Sequence, residues 1–170
     1  MTSSNQFHTL GKNARFDRLS VAKLSLDSEW KTYTPAFTTA GQAWGTTVVN
    51  LWRYRIVGRT LSVKGTVVQT VAGTSAAGNY ALTLPAGCTC FVINYACGGA
   101  YIAGATKRVL GQVQASSTNF IINYVDPTSG TTVFIPWNDA SDADFKLTAN
   151  GLTVSVTFDV ELSPSSPILQ

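Results

Sequence analysis

The chain has 170 residues and a formal net charge of +3, and charged residues make up only 12% of it, about half the share typical of globular domains. This length allows one domain with a hydrophobic core, whereas the near-neutral balance is unlike that of a nucleic-acid-binding protein. No apolar run approaches the roughly 20 residues that span a membrane. We therefore expect neither nucleic acid nor a membrane as a partner.

Residues 1–29 differ from the rest of the chain and predict an extended arm. Residues 1–13 show no apolar period, and the short alternating pieces that follow do not fit a helix. Residues 1–26 of this segment hold four cations and one acidic residue, so their net charge of +3 equals that of the whole chain. Because such an arm buries little by itself, we expect it to lie on a larger partner. The side chains expected to make that contact are apolar or cationic: Lys12, Arg15, Phe16, Arg18, Leu19, Val21, Lys23, Leu24 and Leu26.

From Trp30 onward, short alternating runs separated by Gly, Pro and Asn predict an all-β sandwich or barrel of about 8–10 strands over residues 30–163. The clearest run is 152–162, where apolar and polar residues alternate as in a half-buried strand. Residues 164–170 predict an extended C-terminal tail. The other predicted strands are 31–38, 47–57, 60–67, 78–84, 98–104, 107–115, 118–125, 131–135 and 144–149.

The hairpin around Gly58 has two distinct faces. Alternation places Trp52, Tyr54 and Ile56 on the core side, opposite Leu61 and Val63 of the next strand. Leu51, Arg53, Arg55 and Val57 share the other face. Because the protein has so few charges, the pair Arg53 and Arg55 is a candidate subunit interface.

Residues suited to catalysis or metal binding are scarce, so we expect no enzymatic activity, no metal and no cofactor. His8 is the only histidine and lies in the predicted arm, where no third group is indicated to orient it. Cys88, Cys90 and Cys97 have the spacing of neither a zinc site nor a redox motif. We expect them to be free, buried thiols.

Two groups of residues leave alternatives open. The acidic cluster Asp139, Asp142 and Asp144 predicts a solvated loop, with Ca²⁺ binding or glycan hydrolysis as the alternatives. Three aromatic residues near predicted loops could stack on sugars, although a structural role is favoured: Trp44, Tyr101 and Trp137.

Four motifs in residues 30–85 resemble a module of tailed-bacteriophage virion proteins. They are Trp30-x-x-Tyr33-Thr34-Pro35-x-Phe37, Tyr54-Arg55-Ile56-Val57-Gly58, Leu61-x-Val63-x-Gly65-Thr66 and Leu82-Thr83-Leu84-Pro85. The order and spacing match, while each motif alone is a generic strand or turn. The resemblance covers roughly a third of the chain. It implies a virion structural protein with a trimeric, jelly-roll-like β-sandwich head.

On this resemblance we expect a capsid decoration, or cement, protein. It would be a homotrimer made in the host cytoplasm, and it would bind the major capsid protein on the outer surface of the virion through its arm. Only about 30 residues precede the predicted sandwich, which suits a decoration protein better than a long fibre. The alternative is a receptor-binding tail-fibre or spike tip that recognises a host surface glycan.

Overall fold

The computed structural model describes residues 29–91, 98–103, 108–125, 134–136 and 146–169. Within these residues the fold is all-β and every strand pairing is antiparallel, which is consistent with a β-sandwich. The predicted arm lies outside the described residues, except for Glu29. None of the described segments forms a helix long and apolar enough to cross a membrane.

The described residues form nine strands, which belong to one hydrogen-bonded sheet. Their bounds are β1 Lys31–Thr32, β2 Thr47–Val57, β3 Thr60–Gln69, β4 Ala81–Thr83, β5 Gly98–Ala103, β6 Arg108–Ser116, β7 Asn119–Val125, β8 Phe134–Pro136 and β9 Thr153–Glu161. The order of the path is β1-β2-β3-β9-β5-β6-β7-β4, and β8 also pairs with β7. A short 3-10 helix, Pro167–Leu169, follows the last strand.

The path folds over so that strands which are not neighbours meet in the core. The ring of Phe120 on β7 lies 5.8 Å from that of Trp52 on β2 and 5.0 Å from that of Phe158 on β9. In the strand order, β7 lies next to neither β2 nor β9. Two apolar sheet faces therefore enclose one core, as in a sandwich.

The central strands β3 and β9 confirm the predicted alternation. On β9 the apolar side chains from Val154 to Val160 are buried at every second position, and the side chains between them are partly or fully exposed. On β3, Leu61, Val63 and Val67 are buried in the same way. Since β3 and β9 pair along almost their full lengths, their inward rows form the centre of the core.

The β2–β3 hairpin also has the predicted faces. Gly58 turns the chain with a φ of 59°, a conformation that glycine adopts without strain. Trp52 is 2% exposed and lies directly opposite Gly65 on β3. A Cβ atom at residue 65 would overlap the Trp52 ring, so a glycine is needed under the indole.

The predicted strand 31–38 is divided between the two ends of the path. Lys31–Thr32 pairs with β2, whereas Phe37 bridges to Leu82 of β4. Around that bridge, the N–H of Thr38 donates to the carbonyl of Ala81 at 2.9 Å. Pro35 lies between the two pairings and has no N–H to continue a ladder. This segment therefore links the β2 edge to the β4 edge.

The prediction of a strand at 144–149 is wrong for the residues that the structure describes, because residues 147–151 form turns and a bend. The fully buried side chain of Gln69 holds these turns. Its Nε2 donates to the carbonyls of Leu147 at 2.7 Å and Ala149 at 2.8 Å, and its Oε1 accepts from the N–H of Gly45 at 2.8 Å. A buried amide with these partners fixes this segment as a loop. Its apolar pattern alone resembles that of a strand.

The C-terminal tail is not extended, contrary to the prediction. Ser166 is buried, where its hydroxyl donates to the carbonyl of Gly87 at 2.8 Å and accepts from the N–H of Thr89 at 2.9 Å. Ile168 and Leu169 pack against the core. The tail is compact because its own subunit supplies both the hydrogen bonds and the apolar contacts.

Candidate interaction surface

The outward face of the β2–β3 hairpin carries a cluster of cations around one indole ring. The Cζ atom of Arg55 lies 5.0 Å from the ring centre of Trp30, and the Nζ atom of Lys64 lies 5.1 Å from it. Arg53 is directly opposite Lys64 in the strand register. Cation–π contacts of this kind contribute about 0.5–1 kcal/mol each at exposed sites, so they fix Trp30 and the two cations in place.

The two arginines of this face differ in their surroundings. Arg53 is exposed, and no ion-pair partner for it appears among the described residues. Arg55 is half-buried, and its Nε atom is buried without a hydrogen-bond partner in the part of the chain that the structure describes. Both lie on the side away from Trp52, in the arrangement that strand alternation predicts. Arg53 is therefore the arginine available to a partner, whereas Arg55 mainly orders Trp30.

Exposed apolar side chains concentrate on the same strand. The large apolar residues that the structure describes as exposed are Val48, Val49, Leu51, Val57, Val71 and Phe91, and the first four of these lie on β2. Val48 is 67% exposed and Leu51 is 45% exposed. Scattered exposed apolar residues are ordinary, but four of them on one strand beside Arg53 make this strand a candidate interaction surface. We call Trp30, Arg53, Lys64 and these four β2 residues the β2 surface.

Arg59, just outside this cluster, is already engaged within the chain. Its Nη2 atom lies 3.0 Å from Oε1 of Glu161, and its Nε and Nη2 atoms donate to the carbonyl of Leu162. It also stacks on Phe91 at 5.2 Å. These contacts join the hairpin turn to the end of β9, so we assign Arg59 a structural role.

A cleft of about 450 Å³ is lined by residues that include Tyr33, Leu84, Cys88 and Thr118. Burial, aided by the neighbouring Cys90, raises the pKa of the Cys88 thiol from 9.0 to about 11. Burial, with a smaller contribution from Cys88, also raises the pKa of Tyr33. Both groups are neutral near pH 7, and a protonated thiol is a poor nucleophile.

The structure places several other predicted site residues. Cys88 and Cys90 are free and buried, as predicted. The Trp44 ring lies 5.0 Å from that of Phe37 and packs against the core, which agrees with the structural role favoured for it. Among the described residues, no cluster of three or more His, Cys, Asp or Glu side chains could hold a metal ion.

Other predictions fall on parts of the chain without a described placement. They concern the arm residues from Lys12 to Leu26, as well as His8, Cys97, Trp137 and the acidic cluster Asp139, Asp142 and Asp144. The backbone of Tyr101 is described as part of β5, but its side chain is not.

The sequence pattern identified Arg53 of the β2 surface together with its neighbour Arg55. It did not identify four other members of this surface, which are Trp30, Val48, Val49 and Lys64. One signal was present, because Leu51 and Val57 fall on the same predicted face as the arginines. Apolar residues on the polar side of an alternating strand indicate a second contact surface.

Comparison with known proteins identifies no relative of this chain: no protein-family model matches it, and neither a curated protein nor a solved structure does.

Proposed function

We propose that the chain is a bacteriophage capsid decoration protein. In this proposal it is a homotrimer with a jelly-roll-like head, located on the outer capsid surface and attached to the major capsid protein by the arm, residues 1–29. The apolar contacts with the shell come from Phe16, Leu19, Val21, Leu24 and Leu26 of the arm. Its cations contact acidic patches on the shell, and these are Lys12, Arg15, Arg18 and Lys23.

The observation that carries this proposal is the β2 surface. A chain with only 12% charged residues places exposed apolar side chains together on one strand with Arg53, a cation that has no ion-pair partner within the described ranges. Tryptophan and arginine beside apolar residues are the composition of protein–protein contact sites. The protonated Cys88 thiol also disfavours a role as a thiol enzyme.

The proposed mechanism is adhesion. A trimer that contacts neighbouring capsid subunits adds buried interface, and this interface opposes the outward pressure of packaged DNA. An arm that orders on the shell loses conformational entropy, which the large wrapped surface offsets. Within the trimer, Arg53 and Arg55 lie toward a neighbouring subunit.

Deleting residues 1–26 tests the role of the arm. We expect a soluble, folded trimer that no longer sediments with purified capsids lacking the decoration protein. The matched control is Arg53→Glu in the full chain, which keeps the arm and should still bind shells, although more weakly because the trimer loses multivalent attachment. A truncated trimer that still saturates capsids would contradict the proposal.

Copy number tests the location. A decoration protein is expected at a level comparable with that of the major capsid protein in stained gels of purified particles. A much lower copy number would contradict a decoration role and would favour a fibre or spike tip.

A further inference from the structure

One row of side chains on the outward face brings two cations together across neighbouring strands. Arg53 lies directly opposite Lys64 in the strand register, and both side chains are exposed. Thr32 of β1 is the neighbour of Arg53 on one side, and Thr157 of β9 is the neighbour of Lys64 on the other. The row therefore crosses four strands in the order hydroxyl, cation, cation, hydroxyl. We call these four residues the donor row.

The two cations of the donor row repel each other. Like charges directly opposite in a sheet have Cβ atoms about 5 Å apart and are destabilising. Within the described ranges, the only ion pair joins Arg59 to Glu161, so Arg53 and Lys64 have no carboxylate partner there. A carboxylate placed between them would accept hydrogen bonds from both cations, and the threonine hydroxyls are further donors. The donor row is therefore suited to an acidic ligand.

The surface beside the donor row is apolar. Leu51 and Val49 precede Arg53 on the same face of β2, and they are 45% and 38% exposed. A ligand that covers this face must therefore present apolar side chains next to its carboxylates. Apolar side chains beside an arginine are typical of protein interfaces. These features fit an acidic and apolar segment of a protein.

The charges of the chain outside residues 1–26 balance each other, and one segment concentrates the acidic ones. Of the twelve Lys and Arg, four lie in residues 1–26, and of the nine Asp and Glu, one does, so eight of each sign remain in residues 27–170. Three of these eight carboxylates fall within six residues, in the segment 137–145, which lies outside the described residues. This segment combines acidic and aromatic side chains, as the donor row and its apolar neighbours require. They are Trp137, Asp139, Asp142, Asp144 and Phe145.

The anchoring of Leu147 favours a contact between copies over one within a chain. The carbonyl of Leu147 accepts from Nε2 of Gln69 at 2.7 Å. Gln69 lies five residues from Lys64 along β3, or about 17 Å, whereas the three residues from Asp144 to Leu147 span at most about 11 Å. Leu147 is also buried in the core, while Lys64 lies on the outward face. The segment of another copy is under neither of these constraints.

We propose that the segment 137–145 of a neighbouring copy binds the donor row. Its carboxylates lie between Arg53 and Lys64, and its aromatic side chains pack on Leu51 and Val49. The two patches are different, so the contact is heterologous and can close into a ring of three subunits. This inference rests on the homotrimer proposed above, and it names the groups that meet Arg53 in the neighbouring subunit.

Carbodiimide coupling tests the contact in the wild-type chain, because it joins a lysine amine to a carboxylate that touches it. Assemblies are refolded from a mixture of isotope-labelled and unlabelled chains, coupled, digested and analysed by mass spectrometry. We expect Lys64 to be joined to the segment 137–145, in peptides that combine a labelled and an unlabelled chain. The control is Lys64→Arg, which keeps the positive charge and should keep the assembly, but which lacks the amine and should lose this link.

Charge reversal tests the same contact by sedimentation velocity over a concentration series. Lys64→Glu should raise the dissociation constant of the assembly about 10-fold or more, because it places like charges together. Adding Asp142→Lys to that variant should restore much of the loss. Lys31→Glu, which reverses an exposed cation outside the donor row, should change the dissociation constant much less.

The possible results separate this inference from the proposed trimer. A trimer in which Lys64 is joined only to its own chain, or is not joined to the segment 137–145, overturns the inference and leaves the trimer standing. Equal effects of Lys64→Glu and Lys31→Glu also overturn it. A link from Lys64 to the major capsid protein in decorated particles does so as well, because the partner is then the shell. A wild-type chain that is monomeric at every concentration contradicts the proposed homotrimer itself.

Discussion

The inward and outward faces of β2 are made by alternate residues of one strand, yet they differ in how much of each face is buried within a single chain. On the inward face, Trp52 is buried against Gly65 and contacts Phe120 across the sandwich. On the outward face, Val49, Leu51 and Val57 remain exposed next to Arg53. The inward face forms part of the core, whereas the outward face is the one that our proposal assigns to contacts with a partner. This difference separates residues that we expect to matter for stability from residues that we expect to matter for assembly.

The largest expected effect comes from neighbouring substitutions on the two faces. Trp52→Ala should lower the free energy of unfolding by about 3–5 kcal/mol, because it empties a large buried volume. Leu51→Ala, one residue earlier and on the exposed face, should change it by no more than about 0.5 kcal/mol. Urea denaturation of both variants measures the contrast. Similar losses in the two variants would show that the outward face is also part of the folding core.

Adding one methyl group under the indole tests the same contrast on β3. Gly65→Ala should destabilise the protein by about 1–3 kcal/mol, because the new Cβ overlaps the Trp52 ring and the core must shift. The control is Ser62→Ala on the opposite face of the same strand, which should be nearly neutral. A thermal melt distinguishes them, and a neutral Gly65→Ala would contradict the close packing of Trp52 on residue 65.

Much of the inward face could be predicted from the sequence, because a half-buried strand repeats with period two. The alternation from Leu152 to Leu162 fixed β9 almost to the residue, and the turn at Gly58 fixed the β2–β3 register. The division of 31–38 between two edges could not be predicted in this way. Which strand pairs with which edge is a long-range property, and local alternation contains no information about it.

Buried polar contacts limited the prediction of the remaining elements. Glutamine is a residue type that is usually exposed, but the buried amide of Gln69 holds the turns around Leu147 and Ala149 through hydrogen bonds. Ser166 similarly holds a tail whose Ser and Pro content suggested an extended end. At the β2 surface, the sequence pattern predicted Arg53 and the neighbouring Arg55 as interface candidates, whereas Trp30 joins this surface through its contacts with Arg55 and Lys64.

A smaller effect is expected from alkaline pH, since it acts on the core through ionisation. The pKa of Cys88 is raised from 9.0 to about 11 in the folded protein, so the folded state holds its proton more tightly than the unfolded chain does. The stabilisation from this group is complete below about pH 9 and is lost as pH rises from 9 to 11. Urea midpoints at pH 7, 9 and 10.5 should fall over that window.

The Cys88→Ala variant should show a weaker fall in its midpoints between pH 9 and 10.5, although it begins from a lower stability because of the cavity. Tyr33 keeps its own raised pKa and supplies part of the remaining fall. Parallel pH profiles of the wild type and Cys88→Ala would contradict the assignment to the buried thiol.

The most direct test of the division between the two faces is Arg53→Glu, followed by one measurement of assembly and unfolding on the same sample. Analytical ultracentrifugation over a series of urea concentrations should show an unfolding midpoint within error of that of the wild type. Without urea, the variant should show a smaller assembled mass than the wild type at equal protein concentration. Exposed charges contribute little to folding, whereas a reversed charge at an interface opposes association. An unchanged assembled mass, or a loss of stability comparable with that of Trp52→Ala, would contradict the account.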